Sequence, residues 1–177
     1  MSSALLVVDA QELITNNKLY AYDKYIENVS TLIAESRKNN VEVIYIRHDD
    51  GEGQPLSKGN SGFDVCREFI PKNGESVFDK FVNSPFRDSG LLGYLRKNGV
   101  NRLIITGLQT DYCIDATVKC GFEHGFEMIV PEYCNSTVDN EFMTADQTYH
   151  YYNDFMWKDR YAQCVSVRET IDMIRSK

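Results

Sequence analysis

Short apolar runs alternate with amphipathic stretches along the chain, and several of these runs end abruptly at a polar residue. Six runs are nearly continuous in hydrophobic side chains and predict buried strands at 4–8, 41–46, 76–78, 102–106, 126–130 and 162–165. Apolar residues at helical spacing predict helices at 22–37, 90–97, 111–124, 141–157 and 166–174. Alternation of strands and helices is typical of α/β proteins with a covered parallel sheet. We therefore expect one domain over 1–177, built as a three-layer α/β/α sandwich.

Composition and charge narrow the class of protein. The chain has 177 residues with a net charge of -7, which disfavours a nucleic-acid partner because phosphate binding needs a basic surface. No apolar run reaches the ~18 residues of a membrane span, and the N-terminus lacks the pattern of an export signal. We therefore predict a cytoplasmic protein without a membrane partner. Five cysteines without a CxxC pair predict free thiols and give no support for structural zinc.

Polar residues that directly follow the predicted strands are the candidates for chemistry, because open parallel sheets bind ligands beyond the carboxyl ends of their strands. Asp9, His48 and Lys80 follow the first three strands, and the segment 107–113 follows the fourth. Cys113 would lie at the start of a helix, where the helix dipole stabilises a thiolate and lowers its pKa. Asp9 could accept the thiol proton, and Lys80 could stabilise developing negative charge.

Each of these residues also has an ordinary structural interpretation. Cys113 could be a small buried hydrophobe, which is the role of most cysteines. Asp9 could be a turn or capping residue, and Lys80 a solvated lysine. His48 could lie at the surface or support a neighbour. No single residue therefore identifies an enzyme.

Three separated segments, VVDAQ, FDKFVNSPF and GLQTDYCI, resemble the motifs of the isochorismatase-like cysteine hydrolases in order and spacing. The resemblance covers nearly the whole chain and implies a Rossmann-like, six-stranded parallel sheet. It implies a catalytic triad in which Asp9 is the base, Lys80 stabilises charge and Cys113 attacks a carbonyl to form a thioester. It also implies a cis peptide bond between Leu108 and Gln109, and an oxyanion hole made by the N–H groups of Gln109 and Cys113.

The chain departs from the family pattern at three places. Gln109 and Pro85 stand where small residues are usual. The segment RHDDGEG lacks the Asp-x-His that binds metal in the nicotinamidase branch. The resemblance therefore implies no metal and no cofactor, and it makes nicotinamide a poor candidate substrate.

We predict a hydrolase that cleaves a small-molecule amide or related C–N bond. Two alternatives remain, a vinyl ether hydrolase and an inactive binding protein on the same fold. The expected substrate contacts are Gln11, His48, Phe86, Leu108 and Tyr112, with Tyr20, Gln109 and Asn135 as further candidates for the pocket lining. Aromatic residues crowd the helix predicted at 141–157 and indicate a homodimer or tetramer, unless they fill the core.

Overall fold

Within residues 2–176, which the computed structural model describes, seven parallel strands form one sheet. They are β1 (Ser3–Val8), β2 (Glu42–His48), β3 (Ser76–Lys80), β4 (Arg102–Leu108), β5 (Glu127–Pro131), β6 (Asn135–Ser136) and β7 (Gln163–Val165). The order is β3-β2-β1-β4-β5-β7, and the two-residue β6 pairs with the carboxyl end of β4. The predicted six-stranded parallel sheet is confirmed, with β6 as a short addition.

Helices cover both faces of the sheet. They are α1 (Tyr22–Lys38), α2 (Leu91–Lys97), α3 (Asp115–Glu123), α4 (Ala145–His150) and α5 (Val167–Arg175). Because successive strand residues point to opposite faces, Leu6 and Val8 pack in the same core as residues of α2 and α3. Leu5 and Val7 pack with residues of α1 and α5. The three-layer α/β/α arrangement is therefore confirmed, and none of the helices described is long and apolar enough to cross a membrane.

The predicted helix at 141–157 begins later in the structure than the sequence indicates. Thr144 is its N-cap, because its side chain accepts the N–H of Gln147 while the Gln147 side chain accepts the N–H of Thr144. After α4 the chain continues as a π-helical segment, Tyr151–Met156. Of the aromatic residues in this stretch, Trp157 is buried in the core, whereas Phe155 is 69% exposed.

The strand order reverses between β1 and β4, which is where ligands bind in open α/β sheets. The two strands approach each other closely at this point. Gly107 is the register partner of Val8 and has a φ of +124°. A Cβ at position 107 would lie 1.9 Å from the carbonyl oxygen of Val8, so that only glycine fits. The segments that leave β1 and β4 are thereby brought together at one edge.

Candidate active site

Asp9, Lys80 and Cys113 meet at the carboxyl edge of the sheet. The Nζ atom of Lys80 lies 2.7 Å from Oδ2 of Asp9 and 3.3 Å from Sγ of Cys113. The exposed fractions are 1% for Asp9 and Lys80 and 8% for Cys113, so the three groups are almost fully withdrawn from water. The structure therefore brings together the three residues that the sequence predicted as catalytic.

The sheet fixes each of the three backbones. Asp9 follows β1 with a φ of +49°, and its N–H donates to the carbonyl of Ile46 on β2. A left-handed backbone at a non-glycine residue is a strained conformation that clusters at functional sites. Lys80 is the last residue of β3. Cys113 lies in a π-helical turn, Thr110–Ile114, between β4 and α3, and Thr117 donates its hydroxyl to the carbonyl of Cys113.

His48 completes the surroundings of the lysine. It is the register partner of Lys80 in the β2–β3 ladder, and its Nδ1 atom lies 2.9 Å from Lys80 Nζ. Its other ring nitrogen, Nε2, lies 3.1 Å from Oδ1 of Asp50. Gln11 is fully buried and binds the backbone of His48 twice, because its Oε1 accepts the N–H and its Nε2 donates to the carbonyl.

Burial dominates the electrostatics of the site. Loss of hydration raises the pKa of Asp9, and the nearby Lys80 ammonium opposes this rise. Burial and the Asp9 carboxylate raise the pKa of Cys113 to about 12, against the lowering influence of Lys80. This result corrects the expectation of a lowered thiol pKa, because the cost of burying a thiolate exceeds the stabilisation from its cationic neighbour.

The arrangement has the elements of acid–base chemistry. A buried carboxylate with a raised pKa is a stronger base than a solvated one. The Oδ1 atom of Asp9 is buried without a hydrogen-bond partner among the residues described. A carboxylate oxygen of Asp9 lies within 4.8 Å of the Cys113 sulfur. The free oxygen of Asp9 is therefore available to a proton from the thiol or from a bound molecule.

The same region has the ligand types of a metal site. A carboxylate oxygen of Asp9, a ring nitrogen of His48 and the sulfur of Cys113 all lie within 4.8 Å of one another. The Lys80 ammonium, however, is within hydrogen-bond distance of all three side chains. A metal ion placed among them would meet this positive charge at close range. The residues present therefore fit a resident cation poorly, and a site without metal stays our prediction.

The predicted substrate contacts occupy different environments. The peptide bond between Leu108 and Gln109 is cis, and Leu108 is fully buried in the core beneath it. Gln109 is half-buried, and its carbonyl accepts the N–H groups of Tyr112 and Ile114. Tyr112 is 54% exposed and directly precedes Cys113. Its role in binding and the oxyanion hole at positions 109 and 113 stay predictions.

Other predicted contacts have partners within the protein. The ring of Phe86 stacks on Phe126, and Phe86 is buried in the core. Tyr20 packs against the ring of Tyr149. Asn135 is buried and accepts the hydroxyl of Thr110. The structure therefore gives these three residues packing or supporting contacts, and their contact with substrate stays a prediction.

Asn83 is a site residue that the sequence reasoning did not select. Its Oδ1 atom lies 3.7 Å from Sγ of Cys113, and the residue is exposed. It stands three positions after Lys80 in FDKFVNSPF, and this closeness to the predicted lysine was the available signal. Asp50 was also missed, although it stands only two positions after the predicted His48 in RHDDGEG.

A doubly covered parallel sheet with a buried acid, amine and thiol at its strand-order reversal is typical of α/β enzymes. The isochorismatase domain model matches residues 3–154, most of the chain. The chain therefore belongs to the isochorismatase family, and it is a hydrolase.

Individual relatives agree with this assignment. YrdC, an uncharacterized isochorismatase family protein of Bacillus subtilis, is 30% identical in sequence to this chain. The alignment covers 85% of this chain and 80% of the YrdC chain. The ureidoacrylate amidohydrolase RutB of an Enterobacter strain is 25% identical, over 88% of this chain and 84% of its own. In fold, the chain is similar to a cysteine hydrolase from Pseudomonas syringae, with a TM-score of 0.90, 20% identity and coverage of 99% and 93% of the two chains.

Proposed function

We propose that this hydrolase cleaves an amide or related C–N bond of a small molecule through a thioester on Cys113. The observation that carries the proposal is the position of the Lys80 ammonium, which contacts both the Asp9 carboxylate and the Cys113 sulfur. A cation in this position stabilises a thiolate as it forms. RutB, which is named for an amide-cleaving activity, supports the choice of a C–N bond.

The proposed reaction has two halves. In the first, Asp9 accepts the thiol proton while the sulfur of Cys113 attacks the substrate carbonyl carbon. The C–N bond then breaks, and the amine leaves with the proton that Asp9 held. In the second half, Asp9 takes a proton from water, and the resulting hydroxide attacks the thioester. The acid product leaves as the proton returns to the thiolate, so that the enzyme is restored.

Lys80 and the backbone have electrostatic roles in both halves. The ammonium balances the negative charge that moves between Asp9 and Cys113, and it does not need to lose a proton. The N–H groups of Gln109 and Cys113 are proposed to bind the oxyanion of the tetrahedral intermediate. Asn83 lies on the exposed side of the sulfur, where its amide is available to a polar group of the substrate.

The test is direct detection of the covalent intermediate. Wild type and Cys113→Ala are incubated with a panel of small ureido and carbamoyl amides, with ureidoacrylate as the first probe. Product amine or ammonia is quantified, and acid-quenched samples are analysed by intact mass. We expect an acyl adduct on Cys113 and loss of turnover in Cys113→Ala. Cys120→Ala, at a partly exposed thiol outside the site, is the control and should retain turnover.

The alternatives predict different results in the same experiment. A vinyl ether hydrolase need not use the thiol, so Cys113→Ala would keep most of its activity towards an enol ether probe. An inactive binding protein would give neither turnover nor an acyl adduct with any member of the panel. Either outcome would refute the thioester mechanism.

Two further properties are proposed. Tyr151 and Phe155 contact each other and are 40% and 69% exposed, which favours a homo-oligomer formed through this surface. Light scattering should then give a dimer or tetramer mass, and Phe155→Lys should reduce it to that of a monomer. A cytoplasmic location is likewise proposed, and cell fractionation with the native N-terminus tests it.

A further inference from the structure

The hydrogen-bonding capacity of the Lys80 ammonium is completely used in this structure. An ammonium has three N–H donors and no acceptor. Its Nζ atom has three partners, at 2.7 Å in Asp9, 2.9 Å in His48 and 3.3 Å in Cys113. Because the lysine side chain is fully buried, bulk water does not reach its ammonium group. Each of the three contacts therefore helps to set the direction of the other two.

This geometry determines the protonation of His48. Lys80 can only donate, so Nδ1 of the imidazole must accept, and the proton of the neutral ring must be on Nε2. Nε2 faces the carboxylate of Asp50 at 3.1 Å, which is the partner that this tautomer requires. Gln11 holds the backbone of His48 through two hydrogen bonds. Ring position and tautomer are thus both set by neighbours.

We propose that His48 is a positioning residue, which accepts the third N–H of Lys80 and so directs the ammonium at the nucleophile. This inference rests on the function proposed above. It assigns His48 to the support of the catalytic lysine in place of the predicted contact with substrate. The charged or titratable groups that face the imidazole are Lys80 from β3, Asp9 after β1, Cys113 before α3 and Asp50 of its own loop.

A pair of variants at position 48 separates the effect of the hydrogen-bond acceptor from the effect of side-chain volume. In His48→Asn, Oδ1 can take the place of Nδ1 as acceptor, whereas His48→Leu retains a side chain of similar size without one. The rate of iodoacetamide labelling at Cys113 is measured by peptide mass spectrometry at pH 7.5. We expect His48→Leu to be slower by about tenfold, the effect of one charge-assisted hydrogen bond, and His48→Asn to stay within about threefold of wild type.

Controls exclude a general effect on the fold. Thermal unfolding of each variant identifies any loss of structure. His150→Asn changes an exposed histidine that is paired with Asp154 outside the site, and it should label at the wild-type rate. Equal labelling of His48→Leu and wild type would overturn the proposal. Equal slowing in His48→Asn and His48→Leu would also overturn it, because the acceptor would then be irrelevant.

Nitrogen-15 NMR of the imidazoles tests the tautomer in the wild-type protein, and a variant serves only to assign the signals. The chain has three histidines, and the His48 signals are assigned by their loss in His48→Asn. We expect a neutral ring with the proton on Nε2 at pH 7.5. A proton on Nδ1 would contradict the inference, because Nδ1 could not then accept from Lys80. Neither readout requires turnover, so failure to detect amide hydrolysis would reject the proposed function and leave this result standing.

Discussion

Asp9 and Lys80 form a buried ion pair, with Oδ2 and Nζ 2.7 Å apart and exposed fractions of 1% and 0% for the two side chains. Removing two charges from water costs several kcal/mol per ion, and mutual attraction offsets this only when the geometry is good. The pair therefore depends on both members. Its position beside Cys113 agrees with the role that we propose for it in the chemistry of the thiol.

Loss of one member of this pair should be strongly destabilising. Lys80→Met leaves the Asp9 carboxylate buried and uncompensated, which we expect to reduce the free energy of unfolding by about 3–5 kcal/mol. Urea denaturation at pH 7 measures the change. The double variant Asp9→Asn/Lys80→Met removes both charges and should recover a large part of the loss.

The exposed ion pair between Arg175 and Glu35 provides the comparison. Arg175 is about half exposed, so Arg175→Met should cost less than about 1 kcal/mol. If Lys80→Met were as mild as Arg175→Met, or the double variant were no more stable than Lys80→Met alone, the two buried charges would not depend on each other.

Strand ends made much of the site predictable from the sequence. Asp9, Lys80 and Cys113 each follow an apolar run, and parallel strands bring such positions to one edge whatever their separation along the chain. Periodicity also identified the three layers, because a strand buried on both faces is apolar throughout. The short strand β6 was not predicted, because Asn135 and Ser136 are polar and only their pairing with β4 makes them a strand.

Some contacts and pKa shifts at the site depend on strand register and burial, which the sequence alone does not specify. The contact of His48 with Lys80 was not predicted, because nothing local in the sequence specifies which residue of β3 lies opposite His48. The contact of His48 with substrate stays a prediction. Gln11 likewise reaches Phe63, 52 positions away, as well as His48. For Cys113 the position before a helix favoured a low thiol pKa, whereas the degree of burial, which reverses that expectation, emerges only from the folded chain.

The raised thiol pKa makes stability dependent on alkaline pH. The Cys113 thiol has a pKa of about 12 in the folded protein against 9.0 as its ordinary value, so the folded state binds the proton more tightly. This contribution is fully present below pH 9 and is lost as the pH rises towards 12. Above pH 9, wild type should lose stability relative to Cys113→Ala with a slope approaching about 1.4 kcal/mol per pH unit.

Urea denaturation of both proteins from pH 7 to 10.5 measures this slope. Taking the difference removes the contributions of tyrosines and of the other cysteines, which both proteins share. A constant difference between the two proteins across this range would show that the folded and unfolded thiols ionise alike. A difference of opposite sign would indicate a thiolate in the folded state.

The close approach of β1 and β4 at Gly107 should be sensitive to a single methyl group. Gly107→Ala would place Cβ 1.9 Å from the carbonyl oxygen of Val8 at a backbone φ of +124°, so that one strand must move. We expect a loss of more than about 3 kcal/mol in the free energy of unfolding. Labelling of Cys113 should also change, because the turn that carries Cys113, Thr110–Ile114, follows β4.

Gly93 offers a matched control within α2. Apart from the backbone of its own helix, a Cβ at this position meets no atom of residues 2–176 within 4 Å. Because alanine is also the better helix former, Gly93→Ala should stabilise the protein by up to about 1 kcal/mol. Both variants are compared by urea denaturation. Similar stabilities for the two alanine variants would mean that the approach of Gly107 to Val8 does not constrain the fold.

A series of hydrogen bonds between buried side chains supports the turn Thr110–Ile114, which carries Cys113. Thr110, the first residue of the turn, donates its hydroxyl to Oδ1 of Asn135 at 2.8 Å, and Asn135 donates to Asn153 at 2.9 Å. Thr110→Val keeps the shape and removes the donor. Loss of a buried hydrogen bond should cost about 1–3 kcal/mol and should slow labelling of Cys113, since the turn that carries the sulfur loses its anchor.

The variant Thr31→Val is the control for Thr110→Val. It removes a hydroxyl hydrogen bond on the exposed side of α1 and should change stability by less than about 0.5 kcal/mol. If Thr110→Val lowered stability but left the labelling rate of Cys113 unchanged, the series of hydrogen bonds would stabilise the fold without positioning the nucleophile, whereas a change in both quantities would connect Asn135 and Asn153 to the geometry of the site.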